Sequence, residues 1–383
     1  MRILSVVGAP SDVLHLAPVA RALAGRSEVT HHVVHAGAPA GPAAALLAEL
    51  GMPAPDHHLE VGRGAPGART GLIMQRLEPL LTDLRPDVVL VFGADDAAVA
   101  AALVAAKLGC RVGHIGAGLR SGEATTPQEI NRVVIDRVAE LLLAPSRQAM
   151  ENLKGEAVPE ERADFVGNAL IDTAFRMLPP TQDAAEPYAV VALHDPANVD
   201  DAATLETLLS TLTELAHRVP IVLLADADLR ERVRAVEGGR GLPGLTVIEP
   251  PGYAEMLGLV ASAALVITDT ATLQDETTYL GVPCLTLRTA TECAASCCHG
   301  TNRLVPPARA VLLAAATRAL ARWAVRLARP VVERWDGRAA ERIVAVVCDG
   351  ARFPLEPPPV ASPDPDARPR RRAVAMREPA LIG

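Results

Sequence analysis

The chain has 383 residues, of which half are hydrophobic and only 2% aromatic, and 37 basic against 45 acidic side chains give a formal charge of −8. At roughly 100 to 200 residues per domain this length predicts two or three domains, with Ala, Val and Leu packing the cores. The acidic balance argues against a protein that coats nucleic acid or an anionic membrane, since no basic excess is present to neutralise phosphates.

Ile3 to Val7 reads as a buried strand and Leu14 to Ala24 as the helix after it. The apolar run in MRILSVVGAP is too short for a signal peptide. Val88 to Phe92 and Arg111 to Ile115 are two further strands, separated by an Ala-rich helix from Ala97 to Leu108. The richest apolar stretch, Val88 to Gly109, is interrupted by Asp95, Asp96 and Lys107, which argues against a membrane span. Continuous rather than alternating apolar runs mark strands covered on both faces, and strand–helix–strand order predicts a parallel sheet with right-handed crossovers.

The pattern pauses at the Pro-bearing polar segment from Leu178 to Pro187 and then restarts. Tyr188 to Leu193, Ile221 to Leu224, Thr246 to Ile248, Ala264 to Thr268 and Val282 to Leu285 are the strands of a second series. Such a break predicts a domain boundary, with residues 1–178 forming one Rossmann-like α/β domain and 188–350 another. Two such domains with strand C-terminal ends facing each other enclose a ligand cleft. Ala308 to Arg329 reads as one long amphipathic helix with Arg318, Arg322, Arg326 and Arg329 on a solvated face. Residues 352–383 hold eight prolines and the run Arg370-Arg371-Arg372 and are expected to be a disordered, solubilising tail.

Six scattered cysteines suggest no disulfide framework, and the cluster Cys293, Cys297, Cys298, His299 lacks a second ligand group at zinc spacing, so no metal is expected. Gly238-Gly-Arg-Gly241 precedes Pro243 and reads as a loop, not a phosphate cradle. A soluble, cytoplasmic protein is the expectation.

Several strand-end segments carry a more specific signal. Gly113-His-Ile-Gly-Ala-Gly-Leu-Arg120-Ser-Gly followed by Pro127-Gln-Glu-Ile-Asn-Arg132 resembles the text G-H-x-E-A-G-L-R-[ST] … P-E-E-x-N-R of the non-hydrolysing UDP-N-acetylglucosamine 2-epimerases. Val166-Gly-Asn-Ala-Leu-Ile-Asp172, Asp269-Thr-Ala-Thr-Leu-Gln-Asp-Glu276, Leu280-Gly-Val-Pro283, Arg288-Thr-Ala-Thr-Glu292 and Gly300-Thr-Asn-Arg303 extend the resemblance in order over about residues 1 to 350. It implies a GT-B-like architecture, no cofactor, a UDP-sugar substrate and a homodimer. It also implies an isomerase reaction: UDP leaves the anomeric carbon while a base removes the C2 proton, and UDP and a proton then return to give the C2 epimer.

The chain departs from the family pattern at the chemistry. Ala94 stands where the family has its catalytic Asp, with Asp95 one residue later, and Gly116 replaces the Glu of HxEAGLR. Pro10 and His15 replace an Arg and a Lys, Asp195 follows His194 in place of an Arg, and Ala271 and Thr272 replace two glycines. The resemblance therefore assigns catalysis to Asp95, Glu129 and His194. It assigns substrate binding to His15, Arg120, Asn131, Arg132, Thr270, Gln274, Glu276 and Arg303. Each has a plain structural alternative: Asp95 an N-cap, Glu129 a carboxylate at a helix start, His194 a loop histidine, His15 a core histidine. A GT-B glycosyltransferase with an acceptor in the space left by Gly116, and a catalytically dead nucleotide-sugar-binding subunit, are the competing expectations.

Overall fold

The computed structural model describes residues 1–180, 186–238, 241–323 and 330–356. The chain begins with β1 (Arg2–Val7), α1 (Pro10–Ala24), β2 (Thr30–His35), α2 (Pro42–Glu49), β3 (His57–His58) and α3 (Pro66–Leu84). It continues through β4 (Val88–Phe92), α4 (Asp96–Lys107), β5 (Arg111–Ile115), α5 (Pro127–Val138), β6 (Leu141–Ala144), α6 (Arg147–Gly155), β7 (Ala163–Phe165) and α7 (Ala169–Met177). The second series is β8 (Ala189–Ala192), α8 (Pro196–Val199), α9 (Ala202–Ala216), β9 (Ile221–Leu224), α10 (Ala227–Glu237), β10 (Leu245–Ile248), α11 (Tyr253–Ala261) and β11 (Leu265–Thr268). After it come α12 (Ala271–Leu280), β12 (Cys284–Thr286), α13 (Ala294–Cys298), β13 (Asn302–Leu304), α14 (Arg309–Trp323) and α15 (Ala339–Asp349).

Two all-parallel sheets result, in the orders β3-β2-β1-β4-β5-β6-β7 and β10-β9-β8-β11-β12-β13. The order in which strands are added reverses between β1 and β4 in the first sheet and between β8 and β11 in the second, although all strands run parallel, and ligands of open α/β sheets bind at such switch points. All five residues of β4 are fully buried, as are those of β11, because helices cover both faces. The scarcity of aromatics has a packing counterpart. Ala97, Ala98, Ala100, Ala101, Ala102 and Ala105 of α4 are buried among the first sheet's core residues, and small side chains let α4 pack closely against α3 and α5. Polar residues start many of the helices: Asp95, Thr126, Ser146, Asn168, Asp201 and Asp226 each accept a first-turn N–H.

The structure differs from the sequence expectation in three places. Strands β2, β3, β6, β7 and β13 went unpredicted; the THHVVH of β2 is interrupted by histidines, and the others have two to four residues. Helix α15 follows the second sheet in the chain but buries Ile343, Val344, Val346 and Val347 against Ile3, Val7 and Leu16 beside the first sheet, so the stretch to residue 350 is not all second-sheet structure. The tail is also anchored at its start. Arg352 pairs with buried Asp164 at 2.9 Å, and the Phe165 N–H donates to the Phe353 carbonyl at 2.6 Å. Residues 357–383, with the Arg370-Arg371-Arg372 run, lie outside the described residues. On α14, Arg318 is exposed, while the side chains of Arg322, Arg326 and Arg329 lie outside them.

The C-terminal-edge loops of the two sheets meet. Asn168 Nδ2 donates to Asp275 at 2.8 Å, Arg132 pairs with Glu292 at 2.9 Å, and Glu49 accepts the N–H groups of Tyr253 and Ala254 at 2.8 Å. A continuous apolar cluster joins Val13, Leu14 and Leu170 to Leu257, Val266 and Leu273.

Candidate active site

At the switch point of the first sheet, two carboxylates lie at the ends of neighbouring strands. After β1, Asp12 accepts the Gly8 and Ala9 N–H groups at 3.0 and 2.8 Å. After β4, Asp95 caps α4 through Oδ1, which accepts the Ala98 N–H at 2.8 Å, while its Oδ2 is buried without a partner. That oxygen occupies the space a side chain at residue 8 would need, so only glycine fits there. Burial pushes the Asp95 carboxyl above its ordinary value, outweighing the Ala98 N–H and Arg69. Burial, and then Asp95, push Asp12 well above its own.

The loop after β5 runs through Gly116, whose φ of +98° favours glycine and whose missing side chain would meet nothing closer than 3.9 Å. Beyond it, α5 presents Glu129. One Glu129 oxygen accepts the Ser121 hydroxyl at 3.1 Å and Arg132 Nη1 at 2.9 Å, and the carboxylate also takes the N–H groups of Ser121 and Gly122 at 3.1 and 3.2 Å. Burial pushes its pKa up, but these donors and Arg132 outweigh burial and hold it below its ordinary value. Asn131 Nδ2 donates to the Ala94 carbonyl at 3.0 Å, tying α5 to the loop that carries Asp95. Asp95 at the start of α4 and Glu129 in the first turn of α5 thus have their acidities pushed in opposite directions. His15 is half-buried and donates from Nδ1 to the Ser11 carbonyl at 3.0 Å, and burial pushes its pKa below the ordinary value.

The switch point of the second sheet is organised by Asp269. It accepts the His194 and Asp195 N–H groups at 2.8 and 3.0 Å and Asn198 Nδ2 at 3.0 Å, which leaves the His194 side chain exposed. Thr270 stands at the N-cap of α12, but its hydroxyl is 3.1 Å from that of Thr268 and caps nothing, so the first-turn N–H groups of α12 are open to an anion. One turn further in, Glu276 is fully buried; Oε1 accepts the Tyr253 hydroxyl at 2.7 Å and Oε2 has no partner. Burial pushes its pKa to about 7.

The side chains of four other predicted ligands are differently engaged. Arg120 is bound to Glu156 at 2.7 Å and Asp136 at 2.8 Å and donates to the Leu119 carbonyl, so it braces the fold and has no face left for a substrate. Asp136 also accepts from the Gly118 N–H at 3.0 Å and lies 2.6 Å from His114, whose other ring nitrogen faces the Gly93 carbonyl. Gln274 is fully buried: its amide donates to the Thr270 carbonyl and its oxygen accepts from Thr291 and Asn302. Arg132 is spent on Glu129 and Glu292. Arg303 is exposed on the edge strand β13, two strands away from β11. Sequence reasoning missed Asp12, Asp136, Asp269 and Glu292. Asp12 and Asp136 carried one available signal, an acidic residue a turn from a motif residue, at His15 and at Arg132. Among the described residues no three His, Cys, Asp or Glu gather to hold a metal, and no helix is long and apolar enough to cross a membrane.

Comparison with known proteins places this geometry. A family model described as UDP-N-acetylglucosamine 2-epimerase matches residues 21–348. A UDP-2,3-diacetamido-2,3-dideoxy-D-glucuronate 2-epimerase of Pseudomonas aeruginosa is 33% identical over 330 residues, covering 84% of this chain and 92% of that protein. The crystal structure of Methanocaldococcus jannaschii UDP-GlcNAc 2-epimerase in complex with UDP-GlcNAc and UDP superposes with a TM-score of 0.82 at 29% identity, covering 91% of this chain and 99% of that one. The Neisseria meningitidis UDP-GlcNAc 2-epimerase bound to UDP-GlcNAc shares the fold at 24% identity, with a TM-score of 0.82 and coverage of 91% and 100%. With two parallel α/β sheets whose loops meet and a family match over most of its length, the chain belongs to the UDP-N-acetylglucosamine 2-epimerase family.

Proposed function

We propose that this protein inverts C2 of a UDP-2-acetamido sugar, converting UDP-GlcNAc to UDP-ManNAc, with proton transfer divided between Glu129 and Asp95. The observation that carries the reading is the placement of these two carboxylates at the starts of α4 and α5, tied together by the Asn131 to Ala94 hydrogen bond, in surroundings that push their acidities apart. Titratable pairs whose environments push their pKa values apart identify a base and an acid. Glu129, held ionised, is the base that takes the C2 proton as the C1–oxygen bond to UDP breaks and a C1–C2 double bond forms. Asp95, which burial makes the weaker acid of the two, returns a proton to the other face as UDP re-adds. The reverse direction exchanges the roles.

The second sheet supports a nucleotide site. The open N-terminus of α12, with Thr270 and exposed His194, suits the diphosphate, and the unpartnered Glu276 Oε2 suits ribose hydroxyls. Residues 1–178 on the sugar side and 188–350 on the UDP side, the latter without α15, form the two lobes of this reading. A homodimer and a cytoplasmic location belong to the same proposal. Ile130 and Val133, exposed on α5, support the first, and six unpaired cysteines fit a reducing compartment. Light scattering on the purified protein checks the dimer.

Incubation with UDP-GlcNAc in D2O tests the activity. Deuterium at C2 with appearance of the manno epimer is the expected result, and the diacetamido uronate nucleotide used by the Pseudomonas relative belongs in a parallel arm. UDP release that needs an acceptor would point instead to a transferase, and binding without turnover to an inactive subunit.

A further inference from the structure

A chain of alternating charges links the two lobes. Arg288 Nη1 lies 3.2 Å from Glu292 Oε2, Glu292 Oε1 lies 2.9 Å from Arg132 Nη2, and Arg132 Nη1 lies 2.9 Å from Glu129 Oε2. Three of its four members are nearly inaccessible, with side-chain exposures of 11%, 10% and 6% for Glu292, Arg132 and Glu129. Glu292 belongs to the loop after β12, which also touches the nucleotide helix. Thr291 donates to Gln274 of α12 at 2.8 Å, and Cys293 Sγ contacts the Ala271 carbonyl at 3.5 Å. The same loop reaches the first lobe again where Thr289 lies 3.4 Å from Glu123.

We propose that Glu292 is a positioning residue: from the nucleotide lobe it holds the guanidinium of Arg132, and through Arg132 it sets the charge environment of Glu129 on the sugar lobe. The inference rests on the epimerase reading for its consequence, but its geometry does not depend on it. A guanidinium shared between two carboxylates stabilises each less than one devoted to a single partner. With Glu292 present, Glu129 keeps more of its basicity. With Glu292 neutral, Arg132 turns wholly to Glu129 and weakens it as a base. Burial disfavours the Glu129 anion, and the Ser121 and Gly122 N–H groups and Arg132 favour it, so the Arg132 contribution is one that Glu292 can modulate. Beyond Arg288 at its outer end, the charged or titratable groups facing the chain are Glu123, Asp275 and Cys293. None of them bonds to Arg132. The device couples the lobes, since a nucleotide that moves the loop after β12 moves Glu292 and with it the hold on Arg132.

The test compares wild type, Glu292→Gln and Glu292→Asp. The acid limb of the kcat–pH profile for C2 exchange is expected to move to lower pH by roughly one unit in Glu292→Gln, the effect of one neighbouring charge. Glu292→Asp, which keeps the charge, should stay near wild type, and UDP affinity should remain within about twofold in all three. An unmoved acid limb in Glu292→Gln would overturn the inference whatever happens to kcat. If the wild type exchanges no C2 proton, the proposed function falls, and the positioning role is read directly from Glu129. Its carboxyl 13C titration, assigned by its loss in Glu129→Gln, should move down in Glu292→Gln. A titration identical to that of the wild type overturns the inference.

Discussion

Glu276→Gln is expected to weaken UDP binding while relieving a pH-dependent cost in the folded protein. The carboxyl is fully buried, has one donor in Tyr253, and titrates near 7 against an ordinary value of 4.5. Below about 4.5 the proton stays on in folded and unfolded chains alike, and the group is neutral to stability. Between 4.5 and 7 the unfolded chain releases its proton while the folded chain keeps it, so stability falls as pH rises, by about 1.4 kcal/mol per unit. Above 7 the loss is complete at about 3 kcal/mol. Glutamine keeps the Tyr253 bond through its carbonyl but places an amide where Oε2 has no partner, at about 1 to 3 kcal/mol independent of pH. The variant should therefore be the less stable protein at pH 5, and the gap should close by about 2 to 3 kcal/mol by pH 8. Chemical denaturation at pH 5, 6.5 and 8 measures this. In calorimetry at pH 8 the same change should weaken UDP at least tenfold, through loss of a charge-assisted hydrogen bond of about 1.5 to 3 kcal/mol. A stability gap that is constant with pH would refute the burial argument, and an unchanged UDP affinity would refute the ribose assignment.

Arg120→Ala should destabilise the fold by about 1.5 to 3 kcal/mol, because it takes one charged partner from buried Asp136, which keeps His114 and the Gly118 N–H, and should leave KM for the sugar nucleotide untouched in whatever protein remains folded. A raised KM in a stable variant would return Arg120 to the substrate. Gly116→Glu has room for its side chain, but its φ of +98° should cost about 1 to 3 kcal/mol, seen as a lower Tm. Combined with Ala94→Asp it should raise C2 exchange, by up to about 10²-fold or more if a full acid–base group is restored. If exchange is unmoved in folded protein, residue 116 does not face the sugar.

The sequence made most of the architecture legible. Apolar runs such as Val88 to Phe92 and Ile221 to Leu224 coincide with β4 and β9 to the residue, because a strand buried on both faces must be apolar throughout. Short or polar strands such as β3 and β13 carry too few residues to show a period, and α15 gives no sign in its own sequence of which sheet it returns to. At the site, motif matching singled out the strand-end loops but could not give the bonding of their side chains. It could not show that Arg120 is bound to Glu156 or that the Gln274 oxygen accepts from Asn302, because those partners lie 36 and 28 residues away in the chain. Nor could it show that Asp95 is at once an N-cap and a carboxyl with a free buried oxygen, since one residue can satisfy both descriptions.

The division of proton transfer between two carboxylates is tested most directly by incubating Asp95→Asn and Glu129→Gln separately with each sugar-nucleotide epimer in D2O. If the two groups serve opposite faces of C2, neither variant forms the other epimer, and each still washes deuterium into the starting sugar whose proton its remaining carboxylate can reach. If Asp95→Asn interconverts the epimers at the wild-type rate, Asp95 is a helix cap only, and the second proton-transfer group lies elsewhere.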